Sequence, residues 1–285
     1  MIRILLRGYR FISHLHVRLF ASLMRFVTKS NFFSNAFYNE RRNHLSKTYL
    51  TVELEHNNYF TIDHGPFIGM KYIYDKSIWF DPIYAIAQKK LGVYEQENLN
   101  FISSRKWQLF IDIGGGTGYY SVGMLQANLC EYAIIFESEV SYHDKIIKNF
   151  NINQVSNKLY KICNEAIAQE IILEIDKKID PNGLDSILLC DIEGYENVLF
   201  QSNFLNQLAS RKIILIIEVH PHLFFIHGEH KSFLGNLQDF FEVVALPTMN
   251  RDFTDKFMFA PEVTDRWLFA SENRSEGCQL LCVPK

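Results

Sequence analysis

Acids at the ends of four apolar runs could carry the chemistry of this 285-residue chain. Asp112 closes one run and opens into Gly114, Gly115, Gly116 and Gly118. Glu137 closes the next, 19 positions after Gly118. A third ends in Asp191-Ile192-Glu193-Gly194-Tyr195-Glu196, and a fourth in Glu218-Val219-His220-Pro221-His222. Glycines between a strand and a helix remove the Cβ atoms that hold a ligand away from the backbone. Amides at such a helix start suit an anionic ligand end, for example a carboxylate. An acid at the place and spacing of Glu137 can accept hydrogen bonds from both hydroxyls of a ribose. Carboxylates crowded on one rim repel each other unless a cation or hydrogen-bond donors intervene.

The elements that must position these residues follow from residue 108 onward. Short apolar strands are predicted at 109–113, 132–136, 159–163, 186–190, 213–219 and 241–246. Helices are predicted at 119–127, 140–149, 196–208 and 231–240. The alternation implies an α/β fold with a parallel sheet covered on both faces, ligands binding at the carboxyl edge. An additional β-like run covers 168–175 before the turn signal Asp180-Pro181-Asn182-Gly183, and 267–270 reads as a last strand. The domain layout is a basic helical extension over 1–47, covering elements over 48–107, and the ligand-binding domain over 108–285. Within the cover, 48–63 reads as a hairpin turning at His56-Asn57-Asn58. Asp81-Pro82 starts a helix that ends near Gly92, and a second helix spans 95–104.

Residues 1–39 contain no acid. On a helical wheel Arg3, Arg7, Arg10, Arg18, Arg25 and Lys29 fall within an arc of about 100°. Two readings of this basic amphipathic helix stay open. One is contact between residues 1–29 and the anionic inner face of a membrane; the other is packing on the domain itself or on a second subunit. Recurring arginines argue against a cleaved signal peptide. The net charge of −3 gives no global field for nucleic acid. The five cysteines form no CxxC pair, which fits a reducing, cytoplasmic compartment.

The glycine loop reads D-x-G-x-G-x-G. Tyr119 stands where a dinucleotide fingerprint needs its last glycine, and no phosphate-gripping P-loop is present. The series Phe110-Ile-Asp-Ile-Gly-Gly-Gly-Thr-Gly-Tyr-Tyr-Ser, Phe136-Glu137, Asn149-Phe-Asn-Ile-Asn153, Asp191-Ile-Glu-Gly-Tyr-Glu196 and Glu218-Val-His-Pro221 resembles the FkbM family of S-adenosylmethionine-dependent methyltransferases. The resemblance spans about residues 108–222. The D-x-E-G-x-E block followed by E-x-H is its specific part. It implies a Rossmann-like, doubly wound, mostly parallel seven-stranded sheet and methyl transfer to a hydroxyl, often on a sugar of a glycan, glycolipid or natural product. Departures are Gly115-Gly116 in place of Ala-Asn, Ser138 in place of proline, and Leu189 where a lysine is common.

On this reading Asp112, Gly114, Gly116 and Gly118 hold the methionine end of the cofactor. Glu137 takes its ribose, and Glu165, with Asn164, flanks the adenine. Asp191, Glu193, Glu218 and His220 handle the acceptor. Either His220 or a carboxylate is the base, or Asp191, Glu218 and His220 hold a divalent cation such as magnesium or manganese that acidifies the hydroxyl. His222, His227 and His230 lie nearby in the chain and widen the metal choice. Tyr119, Tyr120 and Tyr195 are candidates to line a sugar cleft. An NAD-dependent Rossmann oxidoreductase and a membrane-associated methyltransferase-like protein without turnover are the alternatives. A homo-oligomer is compatible with the sequence.

Overall fold

The computed structural model describes residues 58–73, 83–155, 159–178, 185–220, 229–246 and 278–285. Seven strands form the central sheet: β3 (Trp107–Ile113), β4 (Cys130–Phe136), β5 (Leu159–Cys163), β6 (Ser186–Cys190), β7 (Ile214–Val219), β8 (Phe241–Ala245) and β9 (Cys278–Pro284). Their order is β5-β4-β3-β6-β7-β9-β8. The pairings from β5 through β7 are parallel, while β9 runs antiparallel between β7 and β8. A dinucleotide-binding sheet keeps six parallel strands in the order 3-2-1-4-5-6. The reversed strand inserted here sets this sheet apart from that layout.

Alternation along the strands builds two cores. Phe110, Ile135, Ile187 and Leu189 face helices α3 (Tyr119–Gln126) and α4 (Val140–Ile152), meeting Val122, Met124, Ile146 and Phe150. Leu109, Ile111, Ile134 and Leu188 face the opposite side, against α5 (Ala168–Asp176) and α7 (Ser202–Ser210). Strands buried on both faces read as continuous apolar runs, which is why the sequence located them within two residues.

Several boundaries differ from expectation. The run 168–175 is helix α5, because Ile171, Ile172 and Ile175 recur at helical spacing and are buried. Glu174, largely covered, pairs with Lys161 at 2.7 Å and Lys177 at 2.6 Å. The helix expected over 196–208 is two, α6 (Glu196–Leu199) and α7, separated at Phe200 and Gln201. The seventh strand is β9; the expected 267–270 strand lies outside the described residues, as do 1–57 and the 180–183 turn.

The first strand of the expected hairpin, 48–55, and most of its turn lie outside the described residues. Strand β1 (Tyr59–Thr61) pairs antiparallel with β2 (Lys71–Ile73), with Tyr59 opposite Ile73. The free edge of β2 is met by side chains rather than by another strand. Asn153 Oδ1 accepts from Lys71 N at 2.7 Å, and Asn149 Oδ1 accepts from Ile73 N at 2.8 Å. Asn149 Nδ2 also donates to the Thr117 carbonyl at 3.0 Å, tying the hairpin to the glycine loop. Helices α1 (Ile83–Leu91) and α2 (Gln96–Ile102) follow. Gly92, with φ of +65°, ends α1 as expected.

Candidate active site

A cavity of about 970 Å³ opens at the carboxyl ends of β3, β6 and β7, walled on one side by α1 and the turn leading into α2. The central strands place Asp112, Asp191 and Glu218 on it; the cover contributes Lys89, Tyr94 and Glu95.

The glycine loop spends its own amides. Gly114 N and Gly115 N donate to the Phe136 carbonyl at 2.9 and 3.2 Å, and Gly118 N donates to the Gly115 carbonyl at 2.7 Å. Gly116 N donates to Glu137 Oε2 at 2.7 Å, and Glu139 N donates to Glu137 Oε1 at 2.8 Å. Glu137 thus ties the loop to the start of the segment after β4. Glu137 is buried and does not line the cavity.

The glycines also differ from one another. A Cβ on Gly114 would collide with the Asp191 carbonyl, whose carbon would lie at 2.9 Å. Glycine there lets the ends of β3 and β6 approach. At Gly116, φ is +52° and nothing lies within 4 Å of a Cβ, so this residue presents bare backbone to the cavity. Gly118 packs towards Ile146 and does not line the cavity.

Asp112 is buried and accepts from Ser121 Oγ at 2.5 Å. Burial pushes its carboxyl up to about 7 against that hydrogen bond, with the Glu137 charge adding. Burial likewise pushes Asp191 to about 7, helped by the nearby Glu95 carboxylate. Asp191 Oδ1 is buried without a hydrogen-bond partner. His220 lies behind these acids. Its Nδ1 is 3.0 Å from Glu196 Oε1, and Nε2 is 3.9, 3.6 and 3.7 Å from carboxylate oxygens of Asp191, Glu193 and Glu218. Burial works against the imidazolium, but the hydrogen bond to Glu196 and the charges of Asp191, Glu193 and Glu218 outweigh it, raising the pKa to about 9. The shift favours the imidazolium form, whose Nε2 faces the three carboxylates. Glu218 also accepts a hydrogen bond from Gln279, a residue of the reversed strand.

Two oxygen-rich sets converge, with ligand atoms within 4.8 Å of one another: Asp191, Glu193 and His220, and Glu95, Asp191 and Glu218. The expected trio of Asp191, Glu218 and His220 is divided between them: His220 belongs to the first set, Glu218 to the second, and Asp191 to both.

Glu165 is exposed after β5 and does not line the cavity. Tyr119 and Tyr120 line it, whereas Tyr195 is exposed at 44 % and does not. Residues 221–228 and the side chain of His230 fall outside the described structure, so His222 and His227 do too.

Two residues absent from the sequence-based set complete the site. Glu95, at φ 44°, accepts from Tyr120 Oη at 2.7 Å and Asn98 Nδ2 at 2.8 Å. Lys89 is buried at 6 % exposure, with its ammonium 4.7, 5.3 and 5.5 Å from the ring centres of Tyr94, Tyr72 and Tyr119. A signal for Lys89 existed: it stands three and four positions after the buried Ile86 and Ala85, on the apolar stripe of α1.

Several solved structures are similar to this chain. An O-methyltransferase, TomG of Streptomyces achromogenes, involved in tomaymycin synthesis and solved with S-adenosylmethionine, is 12% identical, covering 67% of this chain and 81% of its own, with a TM-score of 0.44. The C-terminal domain of precorrin-6Y C5,15-methyltransferase from Rhodobacter capsulatus is 14% identical, covering 67% and 89%, with a TM-score of 0.40. TrmK of M. capricolum, solved with S-adenosylhomocysteine, is 13% identical, covering 66% and 67%, with a TM-score of 0.39. The likeness is one of fold. No family model matches the chain, and no curated protein matches it.

Proposed function

We propose that this protein transfers a methyl group from S-adenosylmethionine to a hydroxyl oxygen, the acceptor being a sugar of a glycan, glycolipid or natural product. The observation that carries the reading is Asp191. Its carboxylate stands at the cavity wall, one oxygen without a hydrogen bond and 3.9 Å from His220 Nε2, directly beside the glycine loop and with a pKa raised to about 7. A base with that value is half ionised at neutral pH and matched to removing a hydroxyl proton as transfer proceeds.

The residues fit such a cofactor. Gly116 offers open backbone, and Asp112, Asp191, Glu95 and Glu218 supply negative charge around a sulfonium. When bound, the sulfonium supplies a methyl group on a good leaving group. The protein has to align the acceptor oxygen and take its proton; alignment alone can supply several kcal/mol. Asp191 accepts the proton. His220, protonated between Glu196 and the acidic rim, offsets the charge that accumulates there.

Incubation with labelled S-adenosylmethionine and the source organism's glycolipid and polysaccharide fractions tests the proposal. Incorporation into a glycan fraction supports it, and incorporation into none of them refutes it. A second reading rests on the convergence of Glu95, Asp191 and Glu218, which could hold a magnesium or manganese ion against the acceptor hydroxyl. Loss of transfer in EDTA, restored by magnesium, would select it. The basic stripe of residues 1–29 favours an acceptor at a membrane surface, and cosedimentation with anionic vesicles tests that contact. Among the described residues no helix is long and apolar enough to cross a membrane.

A further inference from the structure

We propose that the Gln279 side-chain amide binds the acceptor molecule, its Oε1 taking a hydrogen bond from a second hydroxyl of that acceptor. The assignment rests on the methyl-transfer reading and deepens it: the acceptor is a polyol, held at one oxygen while another reacts.

The reversed strand places this residue. Gln279 is the second residue of β9, so it lies beside the carboxyl end of β7, directly opposite Glu218. Side chains of directly opposed residues on an antiparallel pair share one face. Both residues line the cavity. The backbone is held on its other side as well, because the Gln279 carbonyl accepts from Leu246 N at 2.9 Å. A side chain carried on a strand between two paired neighbours has little freedom to shift.

The amide has one end satisfied and one not. Nε2 donates to Glu218 Oε2, and a carboxylate there fixes which end of the amide carries the hydrogens. The residue is 1 % exposed, and its Oε1 has no hydrogen-bond partner among the described residues. A buried acceptor without a donor is costly and calls for an N–H or O–H from a ligand. Holding Glu218 in place accounts for Nε2 and leaves Oε1 unexplained.

The span to the reacting oxygen suits a sugar. Asp191, the base, Glu218 and Gln279 belong to three neighbouring strands, β6, β7 and β9, or to their ends. Glu218 brings an oxygen within 4.8 Å of one from Asp191 and is hydrogen-bonded to Gln279. An acceptor that meets Asp191 with one hydroxyl and Gln279 with another therefore bridges two strand spacings, about 10 Å at the main chain and less between the side chains. A ring bearing several hydroxyls does this. An acceptor with a single hydroxyl leaves Oε1 buried and unpaired, which such a site penalises.

Methyl transfer to the glycan fraction that takes label, together with calorimetry on S-adenosylhomocysteine, reads the contact. Gln279→Lys keeps a donor for Glu218 and removes the acceptor oxygen; Gln279→Met removes both. Each should raise the half-saturating concentration of the fraction about 10- to 100-fold, the size of a lost buried hydrogen bond. The kcat should be largely kept, as loss of uniform binding requires, and S-adenosylhomocysteine should bind within about twofold of wild type. An unchanged half-saturating concentration in Gln279→Lys means that only Glu218 needs the amide, and it overturns the inference. An equal loss of S-adenosylhomocysteine affinity overturns it too. Should Gln279→Lys fail to fold in a thermal melt, Gln279→Met decides by the same two readings. If the wild-type protein labels no fraction, the methyl-transfer reading falls and this assignment with it; a labelled fraction that the variants use as well as the parent removes this assignment alone.

Discussion

Replacing single glycines in the loop should separate architecture from ligand binding. Gly114 and Gly116 both hold positive φ, +80° and +52°, so alanine at either costs about 1–2 kcal/mol of backbone strain. Part of that is recovered because the unfolded chain becomes less flexible. Gly116→Ala should therefore lose only about 1 kcal/mol, since a methyl group meets nothing within 4 Å. Gly114→Ala adds a collision with backbone. The Asp191 carbonyl carbon would have to retreat by about 0.5 Å to restore a 3.4 Å contact, and its oxygen further still. That carbonyl sits where β6 ends, and the Asp191 amide donates to Ile113 at 3.0 Å, so little slack exists. Overpacking of this kind costs about 1–3 kcal/mol, giving about 2–5 kcal/mol in total. Against a typical stability of about 5–15 kcal/mol this should be visible as a large shift in urea midpoint. Gly116→Ala should instead keep its midpoint near wild type and lose affinity for S-adenosylhomocysteine, because its methyl group fills space facing the cavity. Equal destabilisation of the two variants would refute the distinction, as would a Gly114→Ala protein as stable as the parent.

Three further outcomes are expected. Asp191→Asn should lower methyl transfer by about 10²- to 10⁴-fold while S-adenosylhomocysteine still binds, and wild-type kcat should rise with pH through about 7; a pH-independent wild-type kcat, or a fully active variant, contradicts the assignment. Asp112, raised from 3.8 to about 7, contributes stability that is complete below pH 3.8 and lost as pH climbs through about 7; Asp112→Asn should flatten the fall in urea-measured stability over that range by up to about 4 kcal/mol. His220, raised from 6.5 to about 9, contributes stability complete below pH 6.5 and lost as pH rises through about 9; His220→Gln leaves the fully buried Glu196 without its cation and should cost about 3 kcal/mol or more in denaturant titration at pH 7.

The sheet was legible because its strands are buried on both faces. Phe110 and Ile111 point to opposite cores, so the run stays apolar at every position and stops where Asp112 meets the cavity. Run 168–175 misled for a physical reason: short isoleucine-rich segments satisfy both periodicities, and the burial of Ile171, Ile172 and Ile175 on one face is what marks the helix. The acids of the rim were legible as strand ends. The task of Glu137 was not, because acceptance from Gly116 and Glu139 amides depends on how the loop folds back. Glu95 comes from the cover, where no motif marks it, and Lys89 stood out only by its place on the apolar stripe of α1. The side chain of Glu95 reaches the rim from a left-handed turn, which sequence periodicity cannot anticipate.

The asparagines of α4 have a consequence for how the enclosure closes. Asn149 and Asn153 stand in for a missing neighbouring strand, pinning Lys71 and Ile73, and Asn149 grips the Thr117 carbonyl at the same time. One amide group thereby fastens roof and floor together. The 58–73 segment should unlatch from the body only when Thr117 also loosens, so amide hydrogen exchange at Ile73 and through the loop after Asp112 should share a single opening event.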